Sequence, residues 1–132
     1  MKKVTFLVVM LAFFANISMA QNKERVNAFN YNKNAQSYIT TAEQLMVQNR
    51  ADKAQKQMAN PKIELTRAKT SIDLAAENEE TKNDAKTWHY YGVIYLKIAT
   101  YPEFNDIDTE ALTKCADAFK KLVELDETYF KN

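Results

Sequence analysis

A single glycine and two prolines punctuate the whole 132-residue chain. Sheets need tight turns every few residues, and turns draw on glycine and proline. No run of strict apolar–polar alternation bounded by turn residues interrupts the sequence. A chain so poor in turn residues, 46% hydrophobic and 27% charged, is expected to be all-helical, with few and short connections.

The first twenty residues read as a targeting segment. Lys2 and Lys3 form a basic start, Val4–Ala15 is an apolar run, and Ser18-Met19-Ala20 fits a small-x-small cleavage pattern. Cleavage there leaves Gln21 first. The apolar run is short for a bilayer core of about 30 Å, so a permanent anchor is not expected. Residue 21 is glutamine, which gives no sign of lipid attachment. Losing the segment removes two lysines and no acid, moving the formal charge from +1 to −1. A chain so near neutrality has no footprint for nucleic acid or anionic membrane. The implied location is the periplasm or the cell surface. Cys115 is the lone cysteine, so an internal disulfide framework is excluded.

Residues 21–33 are polar and Asn-rich and read as a flexible leader. Asn34 is placed to cap a first helix with Ala35, Tyr38, Ile39, Ala42, Leu45 and Met46 on one face, fraying or running on through Asn49–Met58. Asn60-Pro61 suits an N-cap followed by a first helical position. The second helix, Pro61 to about Glu77, carries Leu65, Ala68, Ile72, Ala75 and Ala76. Thr81-Lys82-Asn83-Asp84 has capping-box spacing and opens a third helix to about Ala99, with Trp88, Tyr91, Gly92, Tyr95 and Ala99 inward. Pro102 breaks it. A fourth helix from about Asp108 to Leu125 presents Leu112, Cys115, Ala116, Phe119, Leu122 and Val123.

Two segments of the chain are alike. Ala68, Ile72 and Ala75 recur 47 residues later as Cys115, Phe119 and Leu122, each set spaced small-x3-large-x2-apolar. With Trp88, Tyr91, Gly92 and Tyr95 on the preceding helix, the segment from Lys82 to Glu127 resembles a tetratricopeptide repeat. That family places Trp-x2-Leu-Gly-x2-Tyr on the first helix of a hairpin and Ala-x3-Phe-x2-Ala on the second. Tyr91 replaces Leu here, Cys115 replaces Ala, Leu122 is larger than usual, and Glu127 stands where proline is frequent. The 22 residues between Gly92 and Cys115 exceed the family's spacing of about eleven, and Thr100–Asp108 reads as an enlarged loop. Pro61–Asn78 fits a second helix of the preceding repeat, whereas Asn34–Gln48 lacks the first-helix motif. The "MA-Q" junction and the lead-in "ETKNDAKTWHYYG" also resemble exported proteins of the Bacteroidetes type.

The resemblance implies antiparallel helical hairpins stacked as a short right-handed α-solenoid over residues 34–127, about two repeats. Residues 128–132 would begin a further repeat or fray. The chain would then be the N-terminal part of a longer protein, or its open end would be covered by a second copy. Within the stack Gly92 allows close approach, as do the small Ala68 and Cys115, while Trp88, Tyr91, Tyr95, Ile72, Ala75, Phe119 and Leu122 fill the space.

Little suggests an enzyme. His89 is the lone histidine, no cluster of ligands accompanies it, and a pairing with Cys115 lacks an orienting third group. One glycine cannot build a phosphate loop. No metal or cofactor is expected. The resemblance implies instead a binding groove beside the packing face, formed by Lys86, His89, Val93, Leu96 and Lys97. That surface is mixed apolar and basic and suits a protein or peptide segment of acidic character. Val93 and Leu96 stand where a carboxylate clamp would place polar groups. The aromatics of Tyr101-Pro102-Glu103-Phe104 fold back on the hairpin or meet a partner. The expected function is a non-enzymatic interaction scaffold; a small carrier or sensor binding a ligand between hairpins is the alternative.

Overall fold

Helices dominate the backbone of the computed structural model, which describes residues 2–131, with side chains described from residue 23 onward. The order is α1 (Lys2–Val47), α2 (Ala51–Gln57), α3 (Ala59–Glu77), α4 (Ala85–Thr100), a 3₁₀ turn (Pro102–Phe104) and α5 (Ala111–Leu125). Among the described residues there is no strand, and no helix is long and apolar enough to cross a membrane. The expected signal segment, residues 1–20, lies outside the residues whose side chains are described.

Each helix end has a chemical cause. Asn49 sits in the left-handed region at φ 56°. Its N–H donates to the Met46 carbonyl at 3.0 Å and the Arg50 N–H to the Leu45 carbonyl at 2.9 Å, the Schellman closure that asparagine tolerates. Pro61 offers no N–H to the carbonyl of Gln57, and its ring would crowd that carbonyl, so α2 stops there. Beyond α3, the buried Thr81 hydroxyl donates to the Ala75 carbonyl at 2.5 Å and satisfies an orphan acceptor. Asp84 caps α4, its Oδ1 accepting from the Lys86 N–H at 2.9 Å. Asp108 Oδ1 accepts from the Glu110 N–H just ahead of α5.

Several boundaries differ from the sequence reading. The segment from Lys23 to Lys33 is helix, not a mobile leader, and Ala28 within it is fully buried. Asn34 is therefore not a cap. It lies inside α1 and donates to Glu64 Oε2 of α3 at 3.0 Å. The cap position of α3 is Met58, without a side-chain bond, and Asn60 is already helical. Thr81 closes the helix before it, while Asp84 opens the one after.

The tightest helix pairs are α1 with α3 and α4 with α5; α3 then packs on α4, and α1 touches α4 more lightly. The seam between α1 and α3 is lined by small residues, Ala28 and Ala35 against Ala68 and Ala75, with Ile39, Leu65 and Ile72 filling it. Alanines let the two backbones come close. Ile94, Tyr95 and Ile98 continue the same core through α4, and Cys115 reaches it from α5. Gly92 faces α5: a Cβ built there would lie 2.8 Å from the tip of the Phe119 ring.

The enlarged loop folds back. Phe104 is fully buried, tilted against Tyr101 at 5.5 Å between ring centroids. The Tyr101 hydroxyl donates to Glu43 of α1 at 2.9 Å. On three helices the expected inward stripe is only partly covered. Tyr38 and Met46 of α1 are exposed, Trp88 and Tyr91 of α4 are half-buried, and Leu112, Ala116 and Val123 of α5 face solvent. α5 packs mainly on α4, so among the described residues one flank of it has no helix packed over it.

Candidate functional site

The register of α4 sends Lys86, His89, Val93 and Leu96 along one outward flank, with Lys97 beside them. Lys86 and Leu96 are exposed, and His89, Val93 and Lys97 are half-buried. The structure thus brings all five expected groove residues to one strip. It adds two walls that do not belong to α4.

The first wall is the early part of α1, where Arg25, Phe29 and Asn32 recur at i, i+4 and i+7. Arg25 pairs with Asp84 at the start of α4. The ring of Phe29 meets Tyr90 at 5.3 Å, and Asn32 Oδ1 accepts from the Lys97 ammonium at 2.8 Å. The Lys86 ammonium lies 5.8 Å from the centre of the Tyr90 ring. Burial pulls Lys97 below its ordinary value of 10.5, because its amide partner is neutral and cannot offset the lost water.

The second wall is the segment after α5. Asp126 Oδ1 accepts from the Thr128 N–H and hydroxyl, which turns the chain back. The Tyr129 hydroxyl then lies 2.9 Å from His89 Nδ1, and Phe130 sets its edge toward the same imidazole at 5.9 Å. Burial lowers the pKa of His89 below 6.5. The neutral ring is therefore the native form, with its Nδ1 at the tyrosine.

Phe29, Asn32, Tyr90 and Tyr129 were not among the expected site residues. The only signal for the α1 wall was the helical spacing of Arg25, Phe29 and Asn32, hidden inside an Asn-rich segment. Nothing in the local sequence ties Tyr129 to His89, 40 residues away.

A second depression, about 330 Å³, opens between α3, α4 and α5 and is lined by Asp73, Glu77, Trp88, Tyr91, Tyr95 and Lys114 among others. Most of its polar groups are already paired. The Tyr95 hydroxyl donates to Asp73 at 2.7 Å, and Lys69 donates to the other oxygen of Asp73 at 2.8 Å. Lys114 donates to Asp108 at 2.7 Å. Burial, and then the bond to Asp73, push the Tyr95 hydroxyl far above 10, so it stays protonated. Trp88 donates to the Lys82 carbonyl, and the rings of Tyr91 and Tyr95 stack at 4.4 Å. This is the chemistry of a strut tying three helices together, not of an acid–base centre.

Asp108 carries a pH prediction. Burial disfavours its charge, but Lys114, the Glu110 N–H and Lys69 outweigh burial and hold the carboxyl below 3.8. A carboxyl depressed on folding contributes stability that is complete above its unfolded value and is lost as pH falls through the folded one. Asp108→Asn is expected to lower stability at neutral pH and to flatten its decline below pH 3.8, as read from urea midpoints at several pH values.

Cys115 is buried and its thiol is pushed up by burial, a setting that suppresses the thiolate. Among the described residues no group of three or more His, Cys, Asp or Glu side chains is placed to hold a metal ion. No family model, no curated protein and no solved structure matches this chain.

Proposed function

We propose that the chain is an exported, non-enzymatic interaction scaffold of the tetratricopeptide-repeat type. In this reading α1 with α3 and α4 with α5 are two successive hairpins. A partner segment lies along the outward flank of α4, between α1 and the turn that carries Tyr129. The stacking is supported by the pairing of neighbours along the chain and by Gly92 meeting the tip of Phe119. Trp88, Gly92 and Tyr95 supply the repeat-like motif.

One observation carries the binding reading. Among the described residues, half-buried Lys97 has only a neutral amide as partner, beside exposed Lys86 and the apolar Val93, Leu96 and Phe29. A carboxylate arriving there would give Lys97 the charged partner it lacks, and the apolar side chains would anchor the rest. The partner is therefore an acidic peptide segment with an apolar anchor.

The test is selection of short peptides on the immobilised protein. Acidic sequences with one or two large apolar residues are expected, and Val93→Asp with Leu96→Asp should weaken them at least about tenfold. Peptides that bind the variant equally well would remove the groove from the account. Export is tested separately by mass spectrometry of the chain from its own cells, with Gln21 expected first. A small-ligand carrier would use the depression beside Tyr91 instead, and that reading predicts a rise in melting temperature with a specific small molecule.

A further inference from the structure

Among the described residues, the outer flank of α5 is an apolar stripe with no helix packed over it. Leu112, Ala116, Phe119 and Val123 follow i, i+4, i+7 and i+11. Leu112 is 68% exposed and Val123 49%. Phe119 is half-buried, its ring tip covered by α4 at Gly92. A stripe of this kind on a soluble helix marks a contact surface.

The charges beside the stripe indicate what covers it. On its open side stand Thr113, Asp117, Lys120 and Glu124, all exposed. Among the described residues neither Asp117 nor Lys120 makes an ion pair with another group. Two copies of α5 can be laid antiparallel, with a two-fold axis between residues 118 and 119. Each Asp117 then faces the Lys120 of the other copy, and each Glu124 faces a Thr113. The stripe meets itself, with Leu112 beside the far end that carries Val123. A parallel two-fold pair would put this flank of one copy on the opposite side of the contact from the same flank of the other, so Asp117 and Lys120 would not meet. A two-fold contact must be complementary to itself, and this flank is so in one orientation.

We propose that the protein forms a homodimer through the outer flank of α5, packed antiparallel against the same helix of a second copy. Each end of the pair leaves its groove along α4 open, so one dimer presents two grooves. The contact is small, and the expected association is micromolar. It uses none of the groove residues and stands or falls independently of what the groove binds.

Sedimentation equilibrium of the purified protein tests this from micromolar to sub-millimolar concentration. A monomer–dimer equilibrium is expected. Leu112→Glu and Val123→Glu should each raise the dissociation constant at least about tenfold, while leaving the far-ultraviolet circular dichroism unchanged. Asp117→Lys alone should weaken the dimer, and Asp117→Lys with Lys120→Asp should restore it. A wild-type protein that stays monomeric throughout overturns the proposal. So does a dimer indifferent to Leu112→Glu and Val123→Glu, or one that the double charge exchange fails to restore.

Discussion

Phe104→Ala is expected to remove about 3–5 kcal/mol of folding stability, the cost of deleting a large buried aromatic and leaving a cavity. The residue belongs to the loop between α4 and α5, where an aromatic would ordinarily be dispensable. Here it has no exposed surface and joins the core shared by α1, α3 and α4. The 3₁₀ turn fixes its approach, because its N–H donates to the Tyr101 carbonyl at 2.9 Å and its carbonyl accepts from Ile107 at 2.9 Å. Urea unfolding followed by circular dichroism measures the loss. Phe130→Ala is the control, since Phe130 is 62% exposed and its loss should change stability by no more than about 0.5 kcal/mol. Equal small effects at both positions would mean that the loop does not fold back as described.

Gly92→Val is expected to cost about 1–3 kcal/mol, the usual range for forcing extra carbons into a packed contact. Valine is the better helix former by a few tenths of a kcal/mol, which opposes the loss without reversing it. The added Cβ would meet three atoms of the Phe119 ring at 2.8–2.9 Å. Either the ring leaves α4, giving up its burial, or the helices move apart. The double-mutant cycle isolates the cause. In a Phe119→Ala background Gly92→Val should be neutral or slightly stabilising. An undiminished cost in that background would place the glycine's role elsewhere.

α3 was legible because its neighbours cover a single face: Leu65, Ala68, Ile72 and Ala75 are all buried as their spacing predicts. α1 was shortened in the sequence reading because the one fully buried side chain described in its early part is Ala28, set among polar residues. An alanine carries little hydrophobic signal, yet it is what close packing requires. α4 is enclosed by α1, α3 and α5, so a single stripe through Tyr91 and Tyr95 undercounted its core and missed the fully buried Ile94 and Ile98. On α5 the opposite happened. Periodicity drew an apolar face through Leu112 and Val123, but periodicity cannot say whether a neighbour covers it. Of the candidate groove, the residues on α4 came from the resemblance to the repeat family, by their position relative to Trp88. Asn32 and Tyr129 did not, since each is brought there by helices packing over long stretches of chain.

In the proposed scaffold "TWHYYGVIY" divides by face: Tyr95 and Gly92 hold helices together, and the flank through His89 and Val93 would receive a partner. Amide chemical-shift mapping with a selected acidic peptide tests it most directly. Shifts are expected at Lys86, His89, Val93, Leu96 and Lys97, together with Asn32 and Tyr129, and none at Asp73, Tyr91 or Lys114. Shifts centred on Asp73, Tyr91 and Lys114 would contradict it and move the binding surface to the opposite side of α4.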